Sequence, residues 1–318
     1  MKARTHARLA DLIRRRAAQP AAGAVQALAD RLLATYGEAV LGILFYGSCL
    51  RSGDDRGGMV DLYVIVERYR DAYPSRFWAV LNKILPPNVF YLETRAEERV
   101  VRAKYAVLSL ADLTRGTSRA WFHSYLWGRF AQPAAILYAR NADTAGRLHQ
   151  ALGQAVVTFL ARVIPCAPVR FSARDLWLQG LTLSYRAELR AERPEKLAGL
   201  FQSSADYYEE ITETVLPLLP FHVERIEGGE RRFEARVADW RRLGCRFGWR
   251  LRSVQGKILS VVRLLKGAFT FSGGLDYILW KIERHTGVSV QVPPHLRRHP
   301  ILAVCVLSWR LYRKGAFR

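Results

Sequence analysis

The apolar positions change their period part-way along the chain. Up to residue 141 they come as short runs of strand length, broken by Gly, Pro and charge; from 143 onward they recur every three or four residues. In the first part, Ala24, Leu28, Leu32 and Leu33 fall at helical spacing and predict a helix over 24–36, closed by Gly37. The run Leu41-Gly42-Ile43-Leu44-Phe45-Tyr46 has strand length and stops at Gly47-Ser48. A polar, Gly-rich loop over 53–58 precedes a second strand-like run, β-branched and aromatic, over 60–66. Residues 77–85 read as a helix ended by Pro86-Pro87. Short strands are expected over 89–92 and 135–138, with a longer one over 100–108 that Arg102 and Lys104 interrupt. The pattern predicts a mixed α/β unit over 1–141.

Leu148, Leu152, Val156, Leu160 and Val163 then mark a helix that Pro165 and Pro168 break. Ser172 is placed to cap the next helix, running toward Arg190. Another helix is expected over 203–216, and the charged stretch 227–232 reads as a linker. These elements make a helical unit over 142–244. The remainder, 245–318, is basic and aromatic with almost no acid. Ile258, Val261, Val262, Leu265 and Phe269 form an apolar stripe there, with Arg263 and Lys266 off it. Residues 301–311 are apolar for about three helical turns, shorter than the ~20 residues a bilayer span needs. Trp309, Arg310, Tyr312 and Arg313 suit an anionic membrane interface; a helix docked on the core is the other reading. The Arg-rich N-terminus, 1–16, reads as the start of an amphipathic helix, with a transit peptide as the alternative.

Composition narrows the class. The 318 residues include 49 Lys and Arg against 28 Asp and Glu, a net charge of +21. With half of the residues hydrophobic, disorder is excluded on composition. The charge attracts polyanions: nucleic acid, anionic lipid or a nucleoside triphosphate. The four cysteines, Cys49, Cys166, Cys245 and Cys305, are scattered and form no CxxC pair. Free thiols in a reducing compartment are expected. The histidines show no metal-ligand spacing.

Chemistry concentrates in Tyr46-Gly47-Ser48, the Gly-rich loop, and Val60-Asp61-Leu62-Tyr63. A strand ending in Gly-Ser, followed by a strand bearing an acid, is the layout of the nucleotidyltransferase superfamily. Gly47 lets the backbone approach a triphosphate, Ser48 offers a hydroxyl to a phosphate oxygen, and following N–H groups can form an anion nest. Asp61 can hold Mg²⁺ against the phosphates. Most of that superfamily has a second acid two residues on, where this chain has Tyr63; Glu93 is the candidate second metal ligand. Lys104, in an apolar run, either snorkels or reaches a phosphate. Arg129 either clamps phosphates or pairs with a surface acid.

Read together, four blocks resemble the mitochondrial translocator assembly and maintenance family of phosphatidate cytidylyltransferases and its bacterial relatives, over about 41–285. The first is Tyr46-Gly47-Ser48 with Asp61-Leu62, where that family also shows one acid. The second is Lys104-Tyr105-Ala106-Val107-Leu108-Ser109, close to Lys-Tyr-Gly-Val-Ile-Ser. The third is Tyr125-Leu126-Trp127-Gly128-Arg129-Phe130-Ala131-Gln132-Pro133, close to Tyr-Ile-Ala-Gly-Arg-Leu-Gln-Lys-Pro. The fourth is Leu183-Ser184-Tyr185-Arg186-Ala187-Glu188-Leu189-Arg190, where the family favours Leu-Ser-Tyr and then Asp-x-Arg. Leu264-Leu265-Lys266-Gly267-Ala268-Phe269-Thr270 echoes a Lys-Gly-Ile-Phe-Thr segment. Cys49 and Ala106 stand where the family has Gly, and Glu188 where it has Asp.

The resemblance implies an α/β nucleotidyltransferase domain with a mixed sheet, a helical winged-helix-like domain and a basic amphipathic C-terminal segment. It implies transfer of CMP from CTP to phosphatidic acid with Mg²⁺, at an anionic membrane surface. Asp61 and Lys104 would be catalytic. Gly47, Ser48, Tyr105, Arg129, Ser184, Tyr185 and Arg190 would bind nucleotide, Asp61 and Glu93 the metal, and Lys266, Trp309, Arg310 and Arg313 the membrane. The implied place is peripheral, on the cytoplasmic face of a bacterial inner membrane or the matrix face of a mitochondrial one. No nucleic-acid partner is expected, and the oligomeric state is open. The rivals are a nucleotidyltransferase acting on RNA or protein, and a non-catalytic membrane-binding relative.

Overall fold

A computed structural model describes residues 2–54, 58–96, 98–188, 192–226 and 231–270. Helices α1 (Lys2–Ala17) and α2 (Gly23–Tyr36) lead into strand β1 (Val40–Tyr46). After a short helix α3 (Ser48–Ser52) come β2 (Val60–Val66), α4 (Tyr69–Ala72), α5 (Arg76–Ile84), β3 (Asn88–Ala96) and β4 (Arg99–Ser109). Then follow α6 (Leu110–Thr117), α7 (Trp127–Phe130) and β5 (Ala134–Ala139). The five strands form one mixed sheet in the order β3-β4-β2-β1-β5, with only β2 and β4 parallel.

Period-two alternation splits this sheet between two cores. Val60, Leu62, Val64 and Val66 of β2 turn to one face, where Ala24, Leu28 and Leu32 of α2 cover them. Tyr63 and Ile65 turn to the other, under Leu9 and Ile13 of α1. The Arg-rich N-terminal segment is therefore a packed helix of the fold, with Leu9, Leu12, Ile13 and Ala17 buried.

Asn141 caps the long helix α8 (Ala142–Val163) by accepting from the Thr144 N–H at 2.8 Å. Beyond it lie β6 (Arg170–Ser172), α9 (Ala173–Arg186), α10 (Pro194–Gln202), α11 (Ala205–Val215), β7 (His222–Ile226), β8 (Arg232–Arg236) and α12 (Asp239–Thr270). Ser172 and Asp175 form the capping box that starts α9. The strands make a small antiparallel sheet, β6-β8-β7. Trp177 stacks on Phe159 with ring centroids 4.8 Å apart, and its indole N–H donates to Thr212 Oγ1 at 2.8 Å.

Helix α12 carries the chain through residue 245 as one element and ties the two sheets' units together. Its inner side donates from Trp249 Nε1 to Arg162 O at 2.9 Å, from Arg252 Nε to Phe122 O at 2.8 Å, and from Arg263 Nε to Pro86 O at 3.3 Å. Gly256 permits the closest approach: a Cβ there would lie 1.9 Å from Ala187 O. Lys266 donates to Pro87 O at 2.9 Å and also to Leu85 O. The expectation that Lys266 meets a membrane is thus corrected. It is buried and anchors α12 on the turn between α5 and β3, because it lies on the inner side with Arg263.

Other differences are local. The helix expected to reach Arg190 stops at Arg186; 189–191 lie outside the described residues. The span 203–216 holds α11, and α10 precedes it unpredicted. The linker expected over 227–232 adjoins two strands, since Phe233 and Ala235 alternate inward against charged neighbours. Cys166 and Cys245, unpaired in the sequence reading, meet as free thiols with sulfurs 2.6 Å apart.

Candidate active site

Strand register assembles the site. β1 runs antiparallel to β2 and sets Tyr46 opposite Asp61. β4 runs parallel on the other side and sets Lys104 opposite Asp61. Register partners share a face, so Asp61, Lys104 and, two residues on, Tyr63 all point the same way. Lys104 is exposed and Asp61 half-buried. Gly47 follows β1 with φ +94°, and the Asp61 carboxylate lies against it: a Cβ there would sit 2.5 Å from Oδ2. Ser48 is exposed at the start of α3. Cys49 points away into the core and donates to Met59 O at 3.3 Å. It ties the end of the loop to the start of β2 and does not crowd Gly47.

Arg129 approaches the same face from α7. Its Nη1 donates to Tyr63 Oη at 3.0 Å, and its guanidinium lies 4.3 Å from the Tyr125 ring centre and 5.5 Å from that of Tyr46. Glu188, just past α9, pairs with it at 3.5 Å. Burial opposes the charge on Arg129, but Tyr125, Tyr63, Tyr46 and Glu188 outweigh that and push its pKa up. Burial also pushes the Tyr63 phenol up, so it stays neutral. Arg129 and Glu188 line a pocket with Gly128, Gln132, Ser184 and Tyr185. Its volume is about 20 Å³, near that of a single water.

The predicted residues therefore sort into groups. Gly47, Ser48, Asp61 and Lys104 come together on the sheet, and Arg129, Ser184 and Tyr185 on the helices beside it. Ser184 is buried and its hydroxyl donates to Leu181 O at 3.0 Å within its own helix. Tyr105 is a correction: odd-numbered residues of β4 face the α2 core, where Tyr105 lies 3.1 Å from Tyr36 Oη and stacks on Phe90. Glu93 is another. It lies on β3, two strands from Asp61, accepts from Tyr91 Oη at 3.0 Å and pairs with Arg102 at 3.7 Å. Strands are ~4.8 Å apart, so the two carboxylates cannot share one Mg²⁺. Arg190, Trp309, Arg310 and Arg313 lie outside the described residues. Sequence reasoning missed the cage of Tyr46, Tyr63 and Tyr125, although each sits in or beside a quoted block.

Among the described residues no group of three or more His, Cys, Asp or Glu could hold a metal ion. One carboxylate beside a glycine still fits Mg²⁺, which is commonly held by one or two carboxylates plus substrate phosphates.

His123 backs the cage. Its Nδ1 accepts from the Tyr125 N–H at 3.2 Å, which puts the proton on Nε2. Burial first, then Arg263, Arg129 and Arg252, lower its pKa from 6.5 to about 3. Between those values the unfolded chain binds a proton that the native chain refuses. Native stability from this residue is therefore intact above pH 6.5 and falls as the pH drops toward 3. Urea titrations from pH 7 to 4 are expected to show a loss of about 1.4 kcal/mol per pH unit that His123→Gln lacks. Parallel curves for the two proteins would remove this role.

A family model described as Tam41_Mmp37, "Phosphatidate cytidylyltransferase, mitochondrial", matches residues 62–234, more than half of the chain. The match begins one residue after Asp61. No curated protein matches the chain. Among solved structures, that of a nucleotidyltransferase-like protein from Exiguobacterium sibiricum 255-15 aligns over 92% of this chain and 92% of its own. Identity is 14% and the TM-score 0.24, too low to carry structural weight.

Proposed function

Because the chain belongs to the Tam41_Mmp37 family of phosphatidate cytidylyltransferases, a family of nucleotidyltransferases, we propose that it transfers CMP from CTP to phosphatidic acid at a membrane surface, giving CDP-diacylglycerol and pyrophosphate. The observation that carries this reading is the convergence of Asp61, Lys104 and Arg129 on one sheet face, with Gly47 shaped around the Asp61 carboxylate. Three separate blocks of the sequence meet there.

In the proposed reaction an oxygen of the phosphatidate phosphate forms a bond to the α-phosphorus of CTP. The bond from that phosphorus to the bridging oxygen breaks, and pyrophosphate leaves with the electron pair. No general base is needed, because a phosphate monoester is already anionic near neutral pH. Asp61 would hold Mg²⁺, which when bound neutralises charge on the triphosphate. Lys104, exposed beside Asp61, meets the phosphates over the open sheet. Arg129 offers a fixed guanidinium fork from the far side. The second unit, helices carrying a three-stranded sheet, fits a winged-helix-like domain.

Helix α12 supports the membrane part of the reading. Trp240, Leu243, Phe247, Leu251, Val254 and Ile258 are all exposed. Their 3-4-4 spacing repeats every eleven residues and keeps the stripe straight, opposite the docked side. Arg241, Arg246, Arg250 and Lys257 flank it, and Asp239 is its sole acid. An apolar stripe with basic flanks fits an anionic bilayer surface. Among the described residues no helix is long and apolar enough to cross a membrane.

The test is purified protein with labelled CTP, Mg²⁺ and phosphatidic acid in mixed micelles. CDP-diacylglycerol is the expected product, and its absence with active phosphatidate would overturn the reading. Sedimentation with phosphatidate-containing vesicles tests the surface. Phe247→Asp with Ile258→Asp is expected to weaken vesicle binding about tenfold or more, since each costs a buried apolar side chain's transfer energy. Unchanged sedimentation would exclude α12 as the contact.

A further inference from the structure

We propose that Tyr63 is a positioning residue, fixing the Arg129 guanidinium over the sheet face that carries Asp61, so that a fixed side-chain cation supplies the charge that a second metal ion would bring. The inference rests on the reading of this site as a nucleotidyltransferase centre.

The geometry leaves Tyr63 little other use. It lies two residues after Asp61 on the same face of β2, and its side chain is fully buried. Its ring is fixed between Tyr46, centroid 5.3 Å away, and Phe130, at 5.0 Å. Its hydroxyl accepts from Arg129 Nη1 at 3.0 Å and donates to Tyr125 Oη at 3.4 Å. An oxygen that is neutral and engaged on both sides makes a poor ligand for Mg²⁺, which prefers carboxylate, phosphate and water. The position that would complete a paired-acid site is committed instead to a cation. That cation is the immobile part of the site: Tyr63, the rings of Tyr125 and Tyr46, and Glu188 all hold it. A guanidinium keeps its charge at every accessible pH and matches two phosphate oxygens at once. Held beside the triphosphate, it supplies without recruitment the positive charge that a second ion would bring.

Tyr63→Phe isolates the claim, because it keeps the packed ring and deletes only the hydroxyl. The probe is α,β-methylene CTP with MnCl2, read by calorimetry for affinity and by electron paramagnetic resonance for bound Mn²⁺. Wild-type protein is expected to hold one Mn²⁺ per chain. Tyr63→Phe is expected to keep that count, to melt cooperatively a few degrees lower because a buried hydrogen bond is lost, and to bind the analogue about tenfold more weakly through the displaced guanidinium. If Tyr63 acts through Arg129, then in an Arg129→Lys background Tyr63→Phe costs nothing further. Two Mn²⁺ per wild-type chain, wild-type affinity in Tyr63→Phe, or additive losses in the double variant would each overturn the proposal. These readings need no phosphatidate. A failed transfer assay with intact analogue binding would sink the substrate assignment and leave Tyr63's role standing; a wild type that binds no analogue would sink both.

Discussion

Asp61→Asn is expected to lower the turnover of CTP and phosphatidate by about 10³-fold, the loss typical when one preorganised charge is removed from a transition state. The change is isosteric, so the carboxamide fills the space against Gly47 that the carboxylate fills now. Its register partners Tyr46 and Lys104 stay in place, because strand pairing is carried by the backbone. What is lost is the anion that faces Lys104 and would hold Mg²⁺. Three readouts separate chemistry from damage. The melting temperature and the vesicle sedimentation are expected to stay near wild type while product formation collapses. Mn²⁺ binding with α,β-methylene CTP is expected to weaken as well, since one protein ligand is gone. A variant that turns over within tenfold of wild type would mean that Asp61 is a structural carboxylate and that the reacting phosphates lie elsewhere.

Much of this site was legible because its residue types are demanding. A glycine after a strand, an acid in an otherwise apolar strand and a lysine in another apolar run have few structural uses. The strand of residues 60–66 was readable to the residue, its β-branched run bounded by a Gly-rich loop and by charge. Tyr105 shows the limit of block resemblance. It adjoins Lys104 in sequence, but period-two geometry sends neighbours to opposite faces, and it packs with Tyr36 instead. Glu93 shows the limit of counting acids. Strand order, β3-β4-β2, was not in the sequence and puts a whole strand between it and Asp61. The meeting of Arg129 with Tyr63, and of Cys166 with Cys245, joins positions 66 and 79 residues apart. Local pattern carries no information about such pairs. Lys266 was misplaced for a related reason. The sequence sets Lys266 off an apolar stripe, but which side docks depends on the carbonyls of the 85–87 turn.

Gly47→Ala is expected to cut turnover about 10²-fold, through displacement and not through loss of a charged group. Two faults arise together. The backbone at Gly47 has φ +94°, where an added Cβ costs roughly 1–2 kcal/mol. That Cβ would also stand 2.5 Å from Asp61 Oδ2 and 3.2 Å from its Cβ and Cγ. The Asp61 side chain is too short to swing clear without losing its aim at the phosphates, and a misplacement of about 1 Å is worth about 10²-fold in rate. Gly37→Ala is the matched control. It also has positive φ, +51°, but nothing lies within 4 Å of where its Cβ would be. It carries strain without collision, so it is expected to lose about 1 kcal/mol of stability and keep its activity. Urea unfolding and the transfer assay on both variants read the two effects apart. Equal loss of activity in both would trace the effect to general destabilisation. If Gly47→Ala alone fails, at a stability shared with Gly37→Ala, the contact between Gly47 and the Asp61 carboxylate is what sets the catalytic geometry.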